Sequence, residues 1–184
     1  ENVGVHKPLD VLMTLPLSGV DRHRRASIRE VVAPRVATAE VTVGAHHPPR
    51  TRGRPYRVHV EDAETSFQLV FFHARGDYLQ KLLPTGQRRI VSGKVEIFDG
   101  IAQIVHPDHV LPVAEAEDIP AFEPVYPLHA GITQKAMWKA TRSALGLMPD
   151  LPEWIAPALR AREDWPDWTE AVHKVHTPQS TSDL

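Results

Sequence analysis

The chain has 184 residues, with 21 Lys and Arg against 23 Asp and Glu, no cysteine, 42% hydrophobic residues and 7% aromatics, which suits one ordinary domain with an appendage. The absence of cysteine excludes disulfide scaffolds, thiol nucleophiles, iron-sulfur clusters and thiolate zinc sites, and it points to the cytoplasm. No run approaches the roughly 18 consecutive apolar residues of a membrane span, and residues 1–8 lack a charged-then-apolar leader pattern, so a soluble chain without membrane contact is expected. The formal net charge of -2 hides a gradient. Residues 1–60 carry ten basic and five acidic groups, 61–110 five and seven, and 111–184 six and eleven. A basic first third can meet polyanions, while the acidic tail meets another partner or serves solubility.

In chain order, Pro8 suits a first helical turn, Leu9, Leu12 and Leu15 share a face, and Pro16 stops the pattern, which predicts a short amphipathic helix. The basic run Asp21-Arg22-His23-Arg24-Arg25 follows. Ser27 and Glu30 then have the spacing of a capping box on a second short helix that Pro34 ends. From Arg35 the period changes to two: Ala37, Ala39, Val41 and Val43 alternate with Val36, Thr38, Glu40 and Thr42, as a half-buried strand requires. A loop is expected from Gly44 to Gly53. Tyr56, Val58 and Val60 alternate again, and Ser66 to His73 is an apolar run suited to a third strand. Gly76 to Leu83 reads as a short helix closed by Pro84. Arg89 to Phe98 resumes the alternation, and Asp99-Gly100 signals a tight hairpin into Ile101 to Val105.

Three strands, a helix and two strands is the order of the five-stranded Greek-key barrel that binds oligonucleotides and oligosaccharides, the OB-fold. Its ligand face includes strands two and three and the loops after strands one and four. After Pro112, Glu115 to Pro124 is acidic and bounded by proline, and reads as a linker. Helical patterns return at Thr133 to Leu147 and Asp167 to Val175, and all four tryptophans lie in this tail.

The clearest chemical feature is the basic loop His46-His47-Pro48-Pro49-Arg50-Thr51-Arg52-Gly53-Arg54. Three arginines in five positions can reach phosphate oxygens in bidentate fashion while Gly53 lets a backbone approach. The alternative is a solvated hairpin tip. Phe71 and Phe72, followed by Tyr78, form a second candidate. Adjacent strand residues face opposite ways, so one Phe belongs to the core and the other is exposed to a base or covered by the following helix.

Eleven histidines include pairs at spacing three, His106 with His109 and His173 with His176, yet no third ligand completes a metal pattern. No nucleophilic-serine motif occurs, and the sole Gly-Lys pair, Gly93-Lys94, lies inside a predicted strand and not in a phosphate-binding loop. The sequence therefore predicts neither a metal nor a catalytic constellation. Trp138, Trp154, Trp165 and Trp168 read as packing anchors, with docking to a neighbour as the alternative.

Several short motifs, in order, resemble RecG-type DNA helicases. They are Leu9-Asp10-Val11-Leu12 with Leu15-Pro16 and Asp21-Arg22; Phe71-Phe72 with Tyr78-Leu79; Gly93-Lys94; and His106-Pro107. They continue with Pro124-Val125-Tyr126-Pro127-Leu128 followed by Gly131, Thr133 and Gln134, and end with Glu170-Ala171 and His176-Thr177-Pro178. What the resemblance implies is the wedge domain of that family, an OB-type barrel, with the ATP-driven motor following the last motif. ATP and magnesium would belong to that motor and no cofactor to this segment. Its partners would be branched DNA (forks and four-way junctions) and the motor in cis, with the chain a monomer. The family's stacking aromatics fall on Phe72 and Tyr78. The spacing between them is two residues longer here, around Arg75-Gly76, which makes Phe72 the firmer of the two. The same resemblance favours Arg50, Arg52 and Arg54 as backbone contacts, since a wedge must hold phosphate without reading bases, and Arg75 is a further DNA-binding candidate.

The resulting expectation is a mainly β fold with α: a five-stranded OB-fold Greek-key barrel with short N-terminal helices and a C-terminal helical tail. The expected division is an N-terminal helical segment 1–34, a wedge barrel 35–113, and a linker and helical tail 114–184 leading toward the motor. The expected function is a non-catalytic, branched-DNA-binding wedge that holds replication forks or Holliday junctions at the branch point during fork reversal and branch migration, in DNA repair and recombination. The alternative is a protein-interaction barrel that docks a motor or partner without binding DNA.

Overall fold

The computed structural model describes residues 7–51, 53–128 and 131–184. The chain divides into two units, residues 21–121 and residues 1–20 with 122–184. The first elements are α1 (Pro8–Leu12), with proline in its first turn, and β1 (Ser18–Asp21). Of the apolar face expected on α1 and its flank, Leu12 is buried while Leu9 and Leu15 are exposed.

The unit 21–121 begins with β2 (Arg24–Arg25) and a 3-10 turn at Ile28–Glu30. Ser27 and Glu30 cap that turn reciprocally, so the predicted capping box is present on one turn and not on an α-helix. The barrel follows: β3 (Arg35–His47), β4 (Tyr56–Glu61), β5 (Ser66–Phe71), α2 (Gly76–Leu82), β6 (Arg88–Phe98) and β7 (Ile101–Val105). β3 pairs antiparallel with both β4 and β6, β4 with β5, and β6 with β7, while β5 and β7 run parallel. That closes the sheet in the order β3-β4-β5-β7-β6 and leaves those five strands without a free edge. A short β8 (His109–Pro112) adds to β6.

β3 is long enough to serve two partners. Residues 35–42 pair with β6, and after a register shift between Val43 and His46 the strand continues against β4. The bulge is why the predicted loop begins four residues later than expected: the strand runs through Gly44 to His47. Inward-facing Ala37, Ala39, Val41, Val43, Val58, Val60, Phe67, Leu69, Val91, Val95 and Ile104 fill the barrel. Leu79 of α2 and Leu83 just after it are fully buried in the same cluster, so the helix closes the barrel as a plug. Each such side chain contributes about 1.5–3 kcal/mol on burial. Between β3 and β6, the buried Arg22 guanidinium donates to Ser92 Oγ at 2.8 Å and to Asp108 Oδ2 at 3.0 Å, and Ser92 shares a hydrogen bond of 2.7 Å with Thr38. That gives the Asp21-Arg22 motif a structural role.

The segment read as a linker is partly ordered into a 3-10 turn, Val113–Asp118, and the strand β9 (Phe122–Val125). In the second unit β1 pairs with β9, and Gly19 lies under the Phe122 ring, where a Cβ would come within 1.9 Å of Cε1. Three helices follow: α3 (Gln134–Leu145), capped by Thr133; α4 (Pro157–Glu163), which starts on a proline; and α5 (Trp168–His176), capped by Asp167. Leu12, Ala144, Leu145 and Val172 form the unit's core, with Trp168 packed against it. Of the tryptophans read as anchors, Trp168 fits, whereas Trp154 and Trp165 are exposed.

Candidate nucleic-acid interface

The chain leaves β5 at Phe71, and the two phenylalanines part there. Phe71 turns inward and is 8% exposed, whereas Phe72 points out and is 41% exposed. The residue after it, His73, has a φ of 58°, a left-handed conformation uncommon outside glycine, so the strand cannot continue. The Phe72 N–H, released from the ladder, donates to His106 Nε2 at 3.2 Å. His106 in turn donates its own N–H to the Val70 carbonyl at 2.9 Å and adopts a φ of 46°. Its ring lies 5.9 Å from Phe72 at 36° and 6.2 Å from Phe71 edge-on, between the buried and the exposed ring.

The loop, described at residues 48–51 and 53–55, comes to the same end of the barrel. It contains no acidic residue and turns back through Gly53, whose φ is 89°. Its base is fixed by Tyr56, 4% exposed, whose hydroxyl meets His46 Nδ1 at 3.0 Å while His46 Nε2–H donates to the Leu83 carbonyl at 2.7 Å. A carbonyl only accepts, so Nε2 carries a proton. Gly76 starts α2 hard against this tyrosine; a Cβ there would lie 3.2 Å from Tyr56 Cε2.

A cavity of about 370 Å³ results, lined by Arg50, Arg54, Tyr56, Phe71, Phe72 and His73 among others. Arg50 and Arg54 are exposed and have no carboxylate partner among the described residues. The structure thus brings together three of the six expected site residues: Arg50, Arg54 and Phe72. Arg52 lies outside the described residues. Arg75 is the residue before α2, and Tyr78 stands 59% exposed on that helix; neither lines the cavity. His106 joins the site unforeseen. Its signal in the sequence is the His106-Pro107 pair, whereas its spacing to His109 resembles a metal-ligand pair.

Such a surface joins an exposed ring that can stack on a base to two unpaired guanidinium groups that can hold phosphate. Among the described residues, no amide or carboxylate side chain lines the cavity.

Comparison with known proteins agrees with this fold. The model of the OB-fold nucleic acid binding domain matches residues 31–111. The ATP-dependent DNA helicase RecG of Escherichia coli O127:H6 (strain E2348/69 / EPEC) is 25% identical over 99% of this chain, which covers 26% of that protein. Among solved structures, RecG bound to a three-way DNA junction superposes with a TM-score of 0.76 at 20% identity, covering 98% of this chain and 25% of that one. The chain thus spans about a quarter of the length of the curated relative it matches. Along nearly its whole length the chain is similar to a segment of RecG, and its central part has the OB-fold.

Proposed function

We propose that the chain is a branched-DNA-binding wedge that holds forks and four-way junctions at the branch point while a motor in the same protein moves the duplex, in repair and recombination in the cytoplasm. The observation that carries this reading is the convergence of Phe72, Arg50 and Arg54 on one cavity at the end of a closed barrel. The mechanism is passive. The arginines neutralise phosphates where two arms diverge, and the Phe72 ring caps the last base pair. Stacking of this kind contributes about 1–3 kcal/mol per base, which offsets part of the few kcal/mol needed to open a step. A closed, plugged barrel suits the task because the ring must hold its direction under load. ATP hydrolysis and its magnesium belong in this reading to the motor, and this segment catalyses nothing itself.

The test is a fluorescence-anisotropy titration against a model fork, a four-way junction, plain duplex and single strand at several salt concentrations. Branched DNA should bind best. Phe72→Ala should lose about 5- to 150-fold on branched DNA, the equivalent of one stacked base. Arg50→Ala with Arg54→Ala should make the salt dependence shallower by about 1.8 in log-log slope for two phosphate contacts. Absence of binding to every DNA at low salt would instead favour a protein-docking barrel.

A further inference from the structure

The segment 111–184 is acidic, with six basic against eleven acidic groups, yet α3 carries Lys135, Lys139 and Arg142 and no acidic residue at all. The remaining cations of the segment each meet a carboxylate: Arg160 with Glu153 at 3.9 Å, Arg162 with Glu163 at 2.7 Å, and Lys174 with Asp183 at 3.4 Å. The three on α3 have no such partner among the described residues, and all three are exposed.

Their arrangement is not scattered. At about 3.6 residues per turn, positions 135, 138, 139 and 142 share one face, while the opposite face, Met137, Thr141, Ala144 and Leu145, is buried in its own unit. Trp138 sits between the cations, with the Arg142 guanidinium 4.8 Å from its ring centroid. That contact holds the arginine over the ring and lowers the entropy lost when it engages an anion. From 135 to 142 the helix rises about 10 Å, so the three cations form one row along it.

We propose that this face of α3 is a second nucleic-acid contact, one that takes the phosphate backbone of a duplex arm without regard to sequence. The inference rests on the DNA-binding reading of the chain but not on the Phe72 cavity. An acidic protein surface is the competing occupant. The nucleic-acid-binding fold of the barrel in the same chain favours DNA.

The experiment uses the whole chain and plain duplex DNA. A variant with Lys135→Gln, Lys139→Gln and Arg142→Gln should bind duplex more weakly, with a salt dependence shallower by up to about 2.7 in log-log slope. A variant with Lys135→Arg and Lys139→Arg should keep the wild-type slope. Acetylation of Lys135 and Lys139 by an N-hydroxysuccinimide ester, read by mass spectrometry, should be suppressed when duplex is bound, and thermal melts should show both variants folded. A Phe72-dependent wild type whose Gln variant keeps an unchanged slope, or whose two lysines acetylate equally fast with and without duplex, would overturn the α3 contact alone and leave a protein partner as its occupant. A wild type that binds no DNA at low salt would overturn both this contact and the wedge reading.

Discussion

At the scale of single residues, the position of Phe72 depends on a neighbour 34 places away. The His106 ring spans the space between Phe71 and Phe72 and supplies the acceptor for the Phe72 N–H. Removing it frees the exposed ring to rotate and leaves a backbone donor without its partner. His106→Ala should therefore weaken branched-DNA binding by a part of what Phe72→Ala costs. In the double variant the second substitution should add little, because the two residues act through one ring. Anisotropy titration of the four species of this cycle tests it, and strict additivity would mean that His106 only supports the barrel. Tyr78, exposed on α2 and away from the cavity, gives the contrast: Tyr78→Ala should cost clearly less than Phe72→Ala on the same fork. Gly76 starts α2 against Tyr56, and the helix carries Tyr78 away from the cavity.

At the scale of elements, the most constrained is α5. Its last residue, His176, is 2% exposed, accepts or donates at Nδ1 with the Tyr126 hydroxyl at 2.9 Å, and donates from Nε2 to the Leu12 carbonyl at 2.8 Å. Burial pushes its pKa below the ordinary histidine value, a shift the Leu12 carbonyl partly opposes. The unfolded chain takes up a proton at this site below about pH 6.5, whereas the folded unit resists it until the pH is lower. Stability from this site is thus fully present above about pH 6.5 and declines as the pH falls from there toward the depressed folded value. His176→Gln keeps a donor and an acceptor without the titration, so it should flatten the acid limb of Tm against pH while lowering Tm at neutral pH, by about 1–3 kcal/mol of stability if a bond is lost.

The elements also show what could be read from residues alone. The capping box at Ser27, the helix starts near Thr133 and Asp167, the alternation of β3, β4 and β6, and the Asp99-Gly100 hairpin were legible because each is written in neighbouring residues. The extension of β3 to His47, the short strands β1, β2, β8 and β9, and α4 were not, since pairing partners far along the chain or a single turn after a proline decide them. Strand parity says that one of Phe71 and Phe72 faces outward but not which; that it is Phe72, that Tyr78 stands away from the cavity, and that His106 contacts both rings follow from packing far along the chain.

At the scale of the molecule, the barrel unit 21–121 is inserted between two chain segments that form the other unit. The sequence divides at composition changes near 34 and 113, whereas the structure divides at 20/21 and 121/122. What ties residues 1–20 to 122–184 is the β1–β9 ladder and the bond from His176 to Leu12, 164 positions apart, neither of which leaves a local mark. Each unit has its own core, and no residue of one core cluster belongs to the other. A closed barrel with a plug should then fold without the flanking segments, and a 21–121 fragment should retain Phe72-dependent DNA binding while losing whatever α3 contributes. All four tryptophans lie in 122–184, so their fluorescence reports the helical unit alone, whereas far-ultraviolet circular dichroism also reports the strands. Below about pH 6.5 the His176 term weakens only the helical unit. On heating at pH 5, tryptophan fluorescence should therefore change at a lower temperature than the strand signal, and the two should draw together as the pH is raised to 8. In His176→Gln the gap at pH 5 should narrow. Coincident transitions at pH 5 in the wild-type chain would show that the two units unfold as one cooperative body and that excision of the barrel must fail.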